Sequence, residues 1–185
     1  MNRYAILLRG INVGGKNKMP MAKLKIFLEE LGCQNVRPYI QSGNVIVDSP
    51  DGTKKLTQRI EEGLTTTFSL DSSIIKTLVL TPDALSQVVE NRPPQFGNKP
   101  DTYHSDVIFL IGISAIDVKE YFHPKEGVDS IWFGDKVVYS QRLSAKRTQS
   151  RLSRIVGTPV YASMTIRNWN TTMKLLHMIK ESSLK

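Results

Sequence analysis

The chain has one cysteine, Cys33, so no internal disulfide can close and no cysteine cluster can hold a metal. Its three histidines, His104, His123 and His177, stand far apart and form no His-x-x-x-His pair. No metal and no cofactor are therefore expected. No apolar run approaches the roughly 20 residues that span a bilayer. Arg9 ends the short apolar run near the start, and no small-residue cleavage site follows it. These absences predict a cytoplasmic protein without membrane attachment. Cys33, just after Gly32, reads as a small half-buried apolar residue rather than a reactive thiol.

Acidic residues are absent from two long stretches. Residues 1–28 hold Arg3, Arg9, Lys16, Lys18, Lys23 and Lys25 and no acid. Residues 136–180 hold Lys136, Arg142, Lys146, Arg147, Arg151, Arg154, Arg167, Lys174 and Lys180, again with no acid. Most acids lie between Asp48 and Asp135, and the net charge is +8. This segregation predicts a positive face suited to an anionic partner: a phosphorylated ligand, a nucleic acid or an acidic protein.

What is present reads as alternating strands and helices. Residues 4–8 are a short continuous apolar run, the pattern of a buried central strand. Pro20 suits a first helical residue, and Met21, Leu24, Phe27, Leu28 and Leu31 give one apolar helix face, stopped by Gly32. Residues 36–41 and 45–47 read as strands around a Ser42-Gly43-Asn44 turn. Leu56, Ile60 and Leu64 mark a second helix, and residues 74–80 a fourth strand. The order is strand-helix-strand-strand-helix-strand, the split βαβ pattern of ferredoxin-like folds. Thr81-Pro82-Asp83 caps a short helix.

Residues 92–104, with three prolines and Gly97, read as a linker. Beyond it come a strand at 106–111, a helix at 115–122, and a hairpin at 130–139 turning at Gly134-Asp135. A helix at 149–156, a strand at 161–164 and a final helix from Asn168 to Lys180 follow. In that helix Trp169, Met173, Leu176 and Ile179 form the expected buried stripe. The fold class is α+β: two ferredoxin-like βαββαβ halves with antiparallel or mixed sheets, plus a C-terminal helix. The halves are residues 1–91 and 105–185, joined by 92–104. They repeat a pattern and not a sequence.

Three stretches carry candidate chemistry. The run Arg9-Gly10-Ile11-Asn12-Val13-Gly14-Gly15-Lys16-Asn17-Lys18 joins the first strand to the first helix. In a split βαβ unit this loop lies at the same sheet end as Gln41-Ser42-Gly43-Asn44. Helix N-termini favour anions. Gly14 and Gly15 can offer backbone N–H groups, Arg9, Lys16 and Lys18 supply charge, and Asn12, Gln41 and Asn44 can orient a ligand. The loop matches neither Gly-x-x-x-x-Gly-Lys-Ser/Thr nor Gly-x-Gly-x-x-Gly. A purely structural use of the same residues, glycines and asparagines in left-handed turns, stands beside this reading.

The second stretch is Thr165-Ile166-Arg167-Asn168-Trp169-Asn170-Thr171-Thr172. Asn168 or Asn170 can cap the last helix. Arg167 opposes the helix dipole and calls for a buried partner or a bound anion. The third is the basic run from Gln141 to Arg154, where Arg147, Arg151 and Arg154 would share a helix face and could track phosphates. It lacks aromatics for base stacking. No Ser/His/Asp order or nucleophile elbow appears, so no catalytic residue is assigned and enzyme activity is left open.

The runs Leu7 to Met21, Tyr39-Ile40-Gln41-Ser42-Gly43-Asn44-Val45 and Thr165 to Thr171 together resemble the signatures of a widespread bacterial family of uncharacterised proteins. That resemblance covers essentially the whole chain. It implies an α+β protein with two ferredoxin-like parts and no assigned activity, and it brings no catalytic residues. The expectation is an anionic, phosphorylated small molecule at the 10–18 loop. The alternatives are nucleic-acid binding through the basic C-terminal segment and a protein-interaction domain without a ligand. Oligomeric state is not readable.

Overall fold

The computed structural model describes residues 1–68, 70–71 and 75–181. In chain order its strands and α-helices are β1 (Asn2–Arg9), α1 (Met21–Glu30), β2 (Gln34–Tyr39), β3 (Asn44–Ser49), α2 (Thr53–Thr67), β4 (Lys76–Leu80), α3 (Pro82–Glu90), β5 (Tyr103–Leu110), α4 (Ala115–Val118), β6 (Asp129–Phe133), β7 (Val137–Leu143), β8 (Met164–Asn168) and α5 (Trp169–Lys180). Ile74, the expected first residue of the fourth strand, lies outside the described residues.

Two compact units divide the chain. One is Met1–Ser86 together with the chain from Lys174 onward, and the other is Gln87–Met173. The limits fall inside α3 and inside α5, where the sequence reading drew them around 92–104 and gave all of the last helix to the second half. Prolines and glycine in 92–104 mark a break in regular structure, which is not the same as a limit between compact units.

In the first unit the sheet order is β2-β3-β1-β4, with every neighbouring pair antiparallel. β1 and β2 therefore run parallel with β3 between them, the split βαβ arrangement. Tyr4, Ile6 and Leu8 of β1 join Val45 and Val47 of β3 against Leu24, Phe27 and Leu28 of α1 and Leu56, Ile60 and Leu64 of α2. Ala5 and Leu7, on the other face, are also fully buried. That is why β1 reads as an unbroken apolar run.

The end of α5 is held to this unit by two arginines. Arg37 pairs with the Glu181 carboxylate at 2.8 Å and donates to the Met178 carbonyl, and Arg3 donates to the Glu181 carbonyl. Cations suit these last, otherwise unsatisfied carbonyls. Arg3 also grips Asp48 with two bonds of 2.8 and 3.2 Å, and Asn35 donates to Asp48 at 2.7 Å.

The Arg3 guanidinium, with help from Asn35, holds the Asp48 carboxyl below its usual range, and Arg37 does the same for Glu181. A carboxyl with a lowered folded pKa contributes stability that is present above its unfolded value of about 4. That stability fades as pH falls through the lowered folded value. Urea unfolding at pH 7, 4 and 3 should show a midpoint that drops over this acid window. Asp48→Asn should be less stable at pH 7 and lose less on acidification.

The second unit repeats the topology: order β6-β7-β5-β8, all antiparallel. The two ferredoxin-like halves are thus present with antiparallel sheets. The details of the second half differ from the sequence reading most in four places. The 115–122 helix is four α-helical residues followed by a 3-10 turn at Lys119–Tyr121, and Ile116 is 87% exposed. The expected helix at 149–156 is a run of 3-10 turns at Ser144–Gln149, Leu152–Gly157 and Pro159–Ser163. Leu152 and Ile155 anchor this run while the residues between them stay exposed. The strand expected at 161–164 begins only at Met164. In α5 the buried positions are Thr171, Thr172, Leu175, Met178 and Ile179, and Met173 is 41% exposed. Apolar residues surround that helix, so composition alone did not show that two threonines mark the inner side.

Candidate functional site

The loop between β1 and α1 is a miniature hairpin. Val13 and Lys16 bridge, Lys16 N–H donates to the Val13 carbonyl at 2.9 Å, and Asn12 N–H donates to the Asn17 carbonyl at 3.0 Å. The tip, Gly14 and Gly15, has φ +57° and +77°, the double left-handed step of a type I′ turn. Asn12 (φ +53°) and Asn17 (φ +46°) are also left-handed. Asparagine tolerates this region because its short amide bonds locally.

Those two amides tie the hairpin down. Asn12 Oδ1 accepts from Met19 N–H at 2.7 Å, and its Nδ2 donates to the Met19 carbonyl at 2.8 Å and the Gln41 carbonyl at 3.0 Å. Asn17 Oδ1 accepts from Asp71 N–H at 2.8 Å, and its Nδ2 donates to the Gly10 carbonyl at 2.8 Å. The hairpin, the 41–44 turn and Asp71 are thereby joined at one end of the sheet. Leu8 N–H donates to the Gly43 carbonyl at 2.8 Å, closing the turn onto β1.

The candidate residues occupy two places. Arg9, Asn12, Gly14, Gly15, Lys16, Lys18, Gln41 and Asn44 belong to this end of the first unit. Lys16, Lys18, Gly14, Gly15 and Gln41 are exposed there. Asn44 is fully buried, and its Nδ2 donates to Ser42 Oγ at 2.8 Å and the Tyr39 carbonyl at 3.3 Å. Neither Lys16 nor Lys18 takes part in an ion pair among the described residues. The hairpin leads into α1, which has Pro20 at its N-cap, no side-chain cap and no acid in its first turn. Ile40, in the adjoining turn, has φ +49° and is 50% exposed. A β-branched residue in that conformation is strained.

Arg167 and Asn168 lie on β8, in the second unit. Arg167 is 8% exposed and Nη1 donates to Thr165 Oγ1 at 2.9 Å and the Ile166 carbonyl at 2.8 Å. Burial pushes its guanidinium pKa down to about 10. Asn168 Oδ1 accepts from Thr171 N–H at 2.7 Å, the cap of α5. Asn168 also borders a small cleft with Gly97, Tyr103, His104, Trp169 and Asn170. Sequence reasoning missed that cleft, because half of its lining comes from the stretch read as a linker. Its other wall, Asn168-Trp169-Asn170, falls in the second candidate stretch, while Gly97 was read only as part of the linker.

Two antiparallel split-βαβ units, one of them bearing a rigid basic hairpin, define a two-unit ferredoxin-like α+β protein. Among the described residues no three His, Cys, Asp or Glu side chains gather as metal ligands, and no helix is long and apolar enough to cross a membrane. The chain belongs to the family described as protein of unknown function (DUF1697), whose model matches residues 1–139. It is similar to a solved structure described as conserved bacterial protein SP0830 from Streptococcus pneumoniae. That match has 30% identity and a TM-score of 0.78 over 96% of this chain and 98% of the other. No curated protein matches the chain.

Proposed function

We propose that the protein is a cytoplasmic binder of an anionic, phosphorylated small molecule, held at the 10–18 hairpin. The observation that carries this reading is the pair Lys16 and Lys18. Both are exposed, outside any ion pair among the described residues, and mounted on a loop locked by Asn12 and Asn17. The Gly14 and Gly15 N–H groups make no hydrogen bond among the described residues, and the uncapped first turn of α1 adds further free N–H groups. Backbone donors beside two cations suit a phosphate. Asn12, Asn17 and Asn44 act in this reading as supports of the loop, and Gln41 as a neighbour that can orient the ligand.

A second reading, nucleic-acid binding, draws on Lys146, Arg147, Arg151 and Arg154. All four are exposed and none is in an ion pair among the described residues. The 3-10 turns break the shared helix face expected for Arg147, Arg151 and Arg154, so any phosphate track follows the turns instead.

A thermal-shift panel at low salt tests both. It holds nucleotides, sugar phosphates and short oligonucleotides. A ligand at about 100 times its Kd adds about 2.7 kcal/mol, about 5–10 °C for a chain of this size. The hairpin reading expects such a shift from a small phosphate and its loss in Lys16→Ala/Lys18→Ala, whose exposed positions leave the fold intact. A shift that survives in the double variant, or no shift from any small phosphate, overturns it. A shift from oligonucleotides alone, fading with salt, moves the function to the second reading.

A further inference from the structure

The cleft at the start of α5 has a volume of about 100 Å³ and is lined by Gly97, Pro100, Tyr103, His104 and Ser105 on one side and Asn168, Trp169 and Asn170 on the other. All of these belong to the second unit. One water needs about 10–15 Å³ by the same kind of measure. The space therefore takes a single ring and not a drug-sized ligand, which needs about 300 Å³ or more.

Its walls are fixed. Gln141, 4% exposed, accepts at Oε1 from Gly97 N–H at 3.1 Å and from Ser105 Oγ–H at 2.9 Å, so it pins the 97–105 wall to the sheet at two points. Trp169 is wedged edge-on against Phe96, with ring centroids 5.2 Å apart, and the Arg92 guanidinium stands 5.5 Å from its ring centre. Gly97 (φ +76°) lies over the indole face at its nitrogen: a Cβ there would stand 2.5 Å from Trp169 Nε1 and 2.7 Å from Cδ1. Bare backbone at this position lets the indole face pack this close beside the cleft.

Against these fixed walls stand several polar groups without protein partners. The Trp169 indole N–H, the Tyr103 hydroxyl and the Asn170 amide make no hydrogen bond among the described residues. The one ionisable side chain of ordinary pH on the wall, His104, bonds Asp106 at 3.1 Å. The lining thus offers donors and acceptors, ring-bearing walls from Tyr103, Pro100 and Trp169, and no Lys, Arg, Asp or Glu side chain. A charged group would find no opposite Lys, Arg, Asp or Glu among the lining residues, and an apolar ring would leave the donors unsatisfied.

We propose that this cleft binds a neutral, planar, six-membered N-heterocycle of the pyrimidine-base type. Its carbonyl oxygens accept from the Trp169 indole and the Asn170 amide, and its ring N–H donates to the Asn170 or Tyr103 oxygen. The same chemistry is carried by a free pyrimidine nucleoside and by a base at the end of a strand. The inference does not depend on the hairpin reading, because the ligand is uncharged and the residues are different.

The test is a titration of the ¹⁵N-labelled protein with uridine, cytidine and ribose 5-phosphate, watched at the tryptophan indole N–H resonances. The chain has two tryptophans, and Trp132→Phe assigns the signal of Trp169. Uridine or cytidine should move the Trp169 signal progressively, with a Kd on the order of 1 mM for so small a ligand. Ribose 5-phosphate should leave it in place. Asn170→Ala, at an exposed position, should weaken binding about tenfold, the usual consequence of one lost hydrogen bond. Gly97→Ala should abolish the shift by displacing the indole. A Trp169 signal that no pyrimidine moves, or that moves equally well in Asn170→Ala, overturns the proposal. A three-nucleotide uridine strand, run alongside, separates the sources. Movement at much lower concentration than uridine assigns a strand base, and movement at equal or higher concentration assigns the free nucleoside.

Discussion

Gly43→Ala should cost about 3 kcal/mol or more, while Gly14→Ala should cost only about 1 kcal/mol, although both glycines are left-handed. At Gly14 (φ +57°) nothing lies within 4 Å of an added Cβ, so only the conformational penalty applies. At Gly43 (φ +71°) the added Cβ would stand 2.9 Å from Leu8 Cβ and 2.9 Å from Ile11 Cδ1. The Ile11 methyl can swing aside. The Leu8 Cβ cannot, because it belongs to central strand β1 and its own N–H holds the Gly43 carbonyl at 2.8 Å. The turn must then lift off β1 and break that bond, or β1 must shift inside a close-packed core. Urea unfolding of both variants measures the difference. At this chain length Gly43→Ala should melt at least about 6 °C lower, and Gly14→Ala about 2–4 °C lower. Equal losses would mean that the Gly43 contact relaxes freely and that the turn is not clamped to the sheet.

The same residues show how far the sequence could be read. Tyr4 to Leu8 announced a strand buried on both faces, and β1 is one. The order of elements announced the split βαβ topology, and that topology places the 10–18 loop beside the 41–44 turn before any coordinate is known. What periodicity could not show was the conformation of the loop. Asn12 and Asn17 read equally well as ligand groups and as turn residues. Their amides now satisfy backbone groups at Met19, Gln41, Gly10 and Asp71, contacts made 7 to 54 residues away. Such partners are set by the fold and leave no local signature.

The second half was less legible for a related reason. The stretch from Ser144 to Ser163 holds apolar residues at helix-like intervals, yet only Leu152 and Ile155 are fully buried, with Val160 and Tyr161 packed partly against the core, all through 3-10 turns. Two buried anchors three residues apart fit a 3-10 turn as well as an α-helix, since side chains at i and i+3 coincide in the former. In α5 the apolar residues run nearly all round, so the stripe could be set by threonines. The cleft at Trp169 was hidden because its walls meet only when β5, the 96–103 stretch and the start of α5 come together. Arg167 was flagged as a cation out of place ahead of a helix. Its position on β8, with Thr165 and Ile166 as acceptors, gives it local partners that dipole reasoning alone did not supply.

Asn12→Ala should destabilise the protein by about 2–4 kcal/mol, a large effect for a half-buried loop residue. The change removes three hydrogen bonds, to Met19 N–H, the Met19 carbonyl and the Gln41 carbonyl. Each such bond contributes about 0.5–1.5 kcal/mol net. It also places alanine at φ +53°, where asparagine is better tolerated. Met19 is 1% exposed, so water does not easily replace the lost amide at its backbone. Asn12→Gly separates the two contributions, because it removes the bonds and relieves the backbone. It should recover about 1 kcal/mol relative to alanine and no more. If the hairpin is a ligand site, both variants should weaken phosphate binding although neither touches Lys16 or Lys18, since the cations lose their fixed mount and binding must then order the loop. Denaturant midpoints read the first effect and the ligand-induced shift reads the second. A loss of stability with undiminished ligand shift would leave Asn12 a structural clamp for a site that does not need the hairpin held still.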